Sequence, residues 1–108
     1  MGNTVENVMA RHLRVTMPDG SMWDVPVDII ARNRAQHYAD EYGGDVQRSL
    51  DEDTILLFEG DDLEIMDWAV NEMNWSDVAA KAKRISYRPE PTADDFQEGW
   101  IEGDKEIV

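Results

Sequence analysis

Carboxylates are the side chains from which this chain could build chemistry. Residues 40 to 77 hold thirteen of them (Asp40, Glu41, Asp45, Asp51, Glu52, Asp53, Glu59, Asp61, Asp62, Glu64, Asp67, Glu72 and Asp77) against one base, Arg48. That block alone carries −12 of a net charge of −14. Paired carboxylates can share general acid and base work, but such pairs need pKa values raised by burial, and these acids fall on segments that read as solvated. Calcium is a second use. Asp51-Glu52-Asp53-Thr54-Ile55 starts like an EF-hand loop, yet Ile55 stands at the third ligand position and Leu56 where the loop needs glycine, so no specific metal site is expected. The absence of cysteine removes thiolate zinc sites, thiol nucleophiles and disulfides. His12 lies on the polar side of an alternating stretch and His37 near the edge of a helical stripe. With no serine in a nucleophile-elbow context, both read as ordinary surface or packing histidines. The seven glycines stand singly or as Gly43-Gly44, so no phosphate-cradling loop exists. The chain is read as non-enzymatic, with no cofactor.

What carboxylates at this density can do is bind. A solvated face that keeps a small protein soluble is the plain reading of a charge run. Thirteen acids to one base is more than solubility requires, because a single-sign surface repels itself and weakens the compact state. Carboxylates arrayed on a rigid helical surface can imitate the phosphate spacing of a duplex and occupy a Lys/Arg-lined groove. The expected contacts are Asp51, Asp53, Glu59, Asp61, Asp62 and Glu64. The expected partner is a basic, Lys/Arg-rich protein surface, such as that of a nucleic-acid-binding protein. At pI ≈ 4.2 the chain would be repelled by nucleic acid and by anionic membrane.

The elements that must position these acids follow from composition and period. A chain of 108 residues reads as one domain that buries roughly two thirds of its unfolded surface. Hydrophobic residues at 42%, with four Trp, three Tyr and two Phe, supply a core that a disordered acidic chain would lack. No apolar run approaches the roughly 20 residues of a membrane span, and the N-terminus lacks a basic region followed by an apolar one. A soluble cytoplasmic protein is the expectation.

Residues 1 to 10 show no period and read as a flexible lead-in. Leu13, Val15 and Met17 alternate with His12, Arg14 and Thr16, the period of a half-buried strand. Met17-Pro18-Asp19-Gly20 is a hairpin turn, and Met22 to Val25 the return strand. Pro26 opens a helix on which Val27, Ile30, Ala31, Ala35, Tyr38 and Tyr42 share one stripe, and Gly43-Gly44 stops it. Arg34 falls inside that stripe, so its stem should pack and its guanidinium pair with a carboxylate. Asp45 caps a short helix through Leu50, which the like charges of Asp51-Glu52-Asp53 should break. Thr54 to Phe58 is read as extended. Asp61 followed by Glu64 resembles a capping box, and the helix after it turns Met66, Ala69, Val70 and Met73 inward to about Asn74. Trp75 interrupts, Ser76 caps a short helix over residues 77 to 82, and Arg84 to Arg88 forms a third strand ended by prolines. Residues 89 to 108 read as an acidic tail carrying Phe96, Trp100 and Ile101 as anchors, mobile until something binds it. The expected fold is α+β: residues 11 to 88 form one domain, a small antiparallel sheet of hairpin plus C-terminal strand packed on one face by helices. The open sheet face would carry His12, Arg14, Arg84 and Arg88 and be mildly basic.

At MPDGSMWDVPVDIIARNRAQHYA, and again at MNWSDV, the chain resembles small acidic proteins encoded by tailed bacteriophages and prophages, over about residues 12 to 80. These stretches are a turn, a helix start and a cap, so no catalytic residue carries across. The resemblance implies a phage context in a bacterial host cell. Small acidic proteins there look like inhibitors of host nucleases, defence complexes or polymerases. The rival expectation is a phage structural or assembly protein that self-associates or docks through its acidic tail.

Overall fold

The alternation of Leu13, Val15 and Met17 is realised as a strand in the computed structural model of the chain, which describes residues 4–17, 21–85 and 93–108. Strand β1 (His12–Thr16) buries Leu13 and Val15 completely and leaves His12, Arg14 and Thr16 half-exposed. It pairs antiparallel with β2 (Met22–Pro26), setting Leu13 opposite Val25 and Val15 opposite Trp23. The turn residues 18–20 lie outside the described residues. Ahead of β1, the expected lead-in holds a helix, α1 (Thr4–Met9). Val8 gives it a purpose: the side chain is buried in the core, so the segment is held by packing that a short aperiodic stretch does not advertise.

Helix α2 (Val27–His37) buries Val27, Ile30, Ala31 and Ala35 of the expected stripe, but it ends short of Tyr38 and Tyr42, which are half-buried outside it. A 3₁₀ turn, Ala39–Tyr42, follows. Gly43 (φ 67°) and Gly44 (φ 85°) end it in the left-handed region that only glycine enters at little cost.

The next segment corrects two expectations. α3 (Val46–Ser49), capped by the Asp45 side chain on the Arg48 N–H, does not break at the acids. It runs on as a π-helical turn, Leu50–Thr54, into α4 (Ile55–Gly60). Thr54 to Phe58 is therefore helical, not extended. Each crowded acid has an answering group: Asp51 accepts from Gln47 at 3.1 Å, Glu52 from Arg48, and Asp53 pairs with Arg34 of α2 at 3.2 Å. Local repulsion of a few tenths of a kcal/mol per like pair is small beside burial of Leu50, Ile55 and Phe58, each worth about 1.5–3 kcal/mol.

Helix α5 (Asp62–Glu72) starts where expected, with the Asp61 side chain accepting the Leu63 N–H at 2.9 Å. Ile65, Ala69 and Met73 are buried, whereas Met66 and Val70 are only half-buried. α6 (Trp75–Val78) is capped by Asn74, not Ser76, in a capping box closed by Asp77. Trp75 thus begins a helix and is buried.

Strand β3 (Lys83–Arg84) is shorter than expected, and residues 86–88 of the proposed strand lie outside the described residues. It sets Lys83 opposite Asp24 and Arg84 opposite Trp23. Arg84 is consequently on the covered side, its guanidinium 5.8 Å from the Trp23 ring centroid, and not on the open face. Arg88 also lies outside the described residues.

The largest correction concerns the C-terminal segment. Residues 93–108 are part of the fold: α7 (Ala93–Glu102) packs on the core, and β4 (Lys105–Ile107) pairs antiparallel with β1, giving the order β3-β2-β1-β4. Trp100 is fully buried, and its indole N–H donates to the carbonyls of Ala69 (2.9 Å) and Met73 (3.2 Å) at the end of α5. Phe96 stacks on Trp75 with ring centroids 4.9 Å apart, and Trp23 meets both rings edge-on. Four aromatics from three elements, Phe96 and Trp100 of α7, Trp75 of α6 and Trp23 of β2, thereby lock α7 to the sheet. Gly103 makes the final bend, where a Cβ would stand 2.1 Å from the Thr16 carbonyl oxygen. Lys105 donates to the Gly103 carbonyl at 2.8 Å, and burial lowers the pKa of its ammonium.

The result is an α+β fold, a four-stranded antiparallel sheet packed against helices. Its open face is charge-balanced, with Lys83, Asp24, Arg14 and Glu106 side by side across the four strands. Arg14 holds Asp24 through two hydrogen bonds of 2.9 and 3.1 Å and lies 3.9 Å from Glu106. Among the described residues no helix is long and apolar enough to cross a membrane.

Candidate functional site

Three of the six expected contacts also serve the fold. Asp53 pairs with Arg34, and Asp61 caps α5. Asp62 receives both Nη atoms of Arg11 at 2.7 and 2.9 Å. That hydrogen-bonded guanidinium holds the Asp62 carboxyl below its usual range, against an opposing desolvation effect. Asp51 is exposed and, among the described residues, bonded only to its helix neighbour Gln47. Glu59 is exposed and Glu64 half-buried, and among the described residues no ion pair reaches either.

What the structure does bring together is a groove between α2 and α5. Glu64, Asp67, Trp68, Asn71 and Glu72 recur at the spacing of one helix face along α5. Arg34 and Tyr38 from α2 and Leu57 from α4 complete a cavity of about 190 Å³. Arg34 forms its base, with only 12% of its side chain exposed. Its guanidinium lies 4.7 Å from the Tyr38 ring centroid and 5.7 Å from that of Trp68, donates to Thr54 Oγ1 at 2.9 Å, and pairs with Asp53. This is the ion pair expected of Arg34, with two aromatic faces added. Trp68 is held in place by its indole N–H, which donates to Asn33 Oδ1 at 2.9 Å, and by the His37 ring edge-on at 5.3 Å.

The π-helical turn supplies part of this geometry. Its wider hydrogen bond, from the Ile55 N–H to the Leu50 carbonyl, adds a residue to the turn. Leu50, Thr54, Ile55 and Phe58 all face the core while Asp53 reaches Arg34. The acidic field is felt nearby at Tyr42, whose phenol pKa is raised by desolvation and then by Asp53, Glu41 and Glu52.

Chemically, the groove presents three carboxylates, Glu64, Asp67 and Glu72, two aromatic rings and a guanidinium whose charge Asp53 takes up. Such a set binds cations. It contains no serine, cysteine or histidine among its lining residues. Among the described residues no group of three or more His, Asp or Glu is placed to hold a metal ion, and residues 51 to 55, which begin like a calcium loop, are helical. A larger cavity of about 280 Å³ near the end of α7 is also acidic, lined by Glu98, Glu102 and Asp104, but has no aromatic wall.

The sequence reading missed Tyr38, Asp67, Trp68 and Glu72 as site residues. The signal was present in α5 as acids and an aromatic at helical spacing, but Tyr38 joins them only through tertiary packing. In comparisons with known proteins, no family model, no curated protein and no solved structure matches the chain.

Proposed function

We propose that the protein is a non-enzymatic binding module whose acidic helical surface engages a basic, Lys/Arg-rich protein surface, with mimicry of a nucleic-acid phosphate array as the form of that binding. The observation that carries this reading is charge segregation. The block that supplies −12 of the −14 net charge lies on the stretch from the end of α2 to α6, while the open sheet face is balanced. A fold that only needed solubility gains nothing from concentrating repulsion on one stretch. Within the expected contacts, Asp51, Glu59 and Glu64 are in no ion pair among the described residues, and Asp67 and Glu72 join them. The phage-type resemblance suggests a host nuclease, defence complex or polymerase as the target class.

The test is to capture partners of tagged protein from a nuclease-treated bacterial lysate, then measure affinity for the recovered basic protein at low and high salt. Electrostatic engagement requires affinity and association rate to fall steeply with salt. Affinity unchanged across that range overturns the proposal. The assembly reading through an acidic tail is weaker, because its anchors Trp100 and Phe96 are used within the chain's own core.

A further inference from the structure

We infer that the outer edge of β4 receives an extended basic segment of the partner, which pairs with it as an added strand. This rests on the proposed function and adds to it a conformation and a place. The register fixes which backbone groups are on offer. His12 and Val108 exchange both backbone hydrogen bonds, at 2.9 and 2.8 Å, and the Thr16 N–H donates to the Asp104 carbonyl at 2.9 Å. By the alternation of an antiparallel ladder, Asp104, Glu106 and Val108 bond toward β1, and the N–H and C=O groups of Lys105 and Ile107 point away from it. β4 stands last in the strand order, so among the described residues no strand pairs with these groups. An open ladder edge is a template for a further strand.

The side chains around this edge set the charge of the occupant. A lysine on an edge strand ordinarily guards it. Lys105 is instead turned inward, its Nζ donating to the carbonyls of Ile101 at 3.3 Å and Gly103 at 2.8 Å, so its charge is withdrawn from the edge. Asp104 and Glu106 are exposed on the open sheet face, and Asp104 joins Glu98 and Glu102 around the cavity of about 280 Å³ where β4 begins. Among the described residues Glu98, Glu102 and Asp104 are in no ion pair. A second copy is disfavoured by charge: two β4 strands paired antiparallel, Lys105 opposite Ile107, would set Glu106 against Glu106 with Cα atoms about 4.5 Å apart, on chains of net charge −14 each. A basic strand meets no such repulsion. Its Lys or Arg residues, at alternate positions, face Asp104 and Glu106, and the apolar residues between them lie on the covered side beside Ile107, which packs against the core.

The experiment titrates the whole protein at low salt with the peptide Arg-Val-Arg-Val-Arg-Val-Arg and with two forms of it, N-methylated on every valine or on every arginine. Hydrogen exchange at the Lys105 and Ile107 amides is followed by NMR. In the added strand the valines stand opposite Lys105 and Ile107 and their N–H groups donate to those carbonyls, while the arginine N–H groups face away. Charge is the same in all three peptides, so the general acidic surface reads them alike. The parent peptide should slow exchange at both amides. Valine methylation should lower affinity about five- to hundred-fold, the loss of two backbone hydrogen bonds, and arginine methylation should leave it unchanged. Equal affinities of the two methylated peptides, or Lys105 and Ile107 amides that exchange as fast in the complex as alone, overturn the inference while the proposed function stands. Exchange that slows with protein concentration in the absence of peptide overturns it in favour of pairing between copies. Failure of every peptide to bind overturns both the inference and the proposed function.

Discussion

Replacing Trp100 with alanine should bring the protein close to unfolding. Trp100 is fully buried and its indole N–H donates to the carbonyls of both Ala69 and Met73. Truncating a core tryptophan costs about 3–5 kcal/mol, and a buried carbonyl left without its donor adds roughly 1 kcal/mol. The sum is a large share of the roughly 5–15 kcal/mol that holds a domain of this size together. Urea unfolding followed by far-UV circular dichroism reads it directly. At a slope near 1.5 kcal/mol per molar urea, a loss of about 4 kcal/mol moves the midpoint down by roughly 2–3 M. Trp100→Phe keeps a ring and loses the hydrogen bond, so it should fall between wild type and alanine. A Trp100→Ala loss below about 1 kcal/mol refutes the docking of α7, and with it the assignment of residues 93–108 to the core. It would restore the mobile acidic tail.

Gly103→Ala should cost about 2–3 kcal/mol, because the new Cβ would meet two backbone oxygens, those of Thr16 and Gly99, at 2.1 and 2.5 Å, and neither can swing aside; thermal unfolding measures it, and an unchanged midpoint refutes the close approach. Asp62 gives a pH prediction. Its carboxyl titrates below its unfolded value, so its stabilisation is present above the unfolded carboxylate pKa and is lost as pH falls through the folded one. With 47% of its side chain exposed, solvent screening limits the pair with Arg11 to about 0.5–1 kcal/mol. Asp62→Asn should remove that amount at neutral pH and flatten the acid limb of the stability curve; an acid limb as steep as wild type's contradicts it.

Where local pattern and tertiary packing agree, the fold was legible. The hairpin, the buried stripe of α2, the glycine stop and the Asp45 and Asp61 caps each depend on residues a few positions apart. Residues 50 to 58 were misread because the deciding groups lie elsewhere: Arg34, sixteen positions before Leu50, neutralises Asp53, and the core rewards helical burial of Leu50, Ile55 and Phe58. Acids around Phe96 and Trp100 masked a four-residue aromatic spacing that is helical. Arg84 was placed on the wrong face because two residues of strand set no alternation; only pairing with Trp23 and Asp24 fixes the register. For the site, the acids were legible as a class, but three of six serve the fold, and the aromatic wall from α2 appears only when the helices pack.

The position of β4 beside β1 also has a consequence for synthesis. The hairpin of β1 and β2 can close as soon as residues 12 to 26 leave the ribosome, yet β1 keeps an unpaired edge until Lys105–Ile107 arrive. Until residue 107 emerges, then, a row of free backbone donors and acceptors sits next to the apolar side chains of Leu13 and Val15. The nascent chain is open at its central strand, so it should be most prone to mispairing and most dependent on chaperones before its last strand docks.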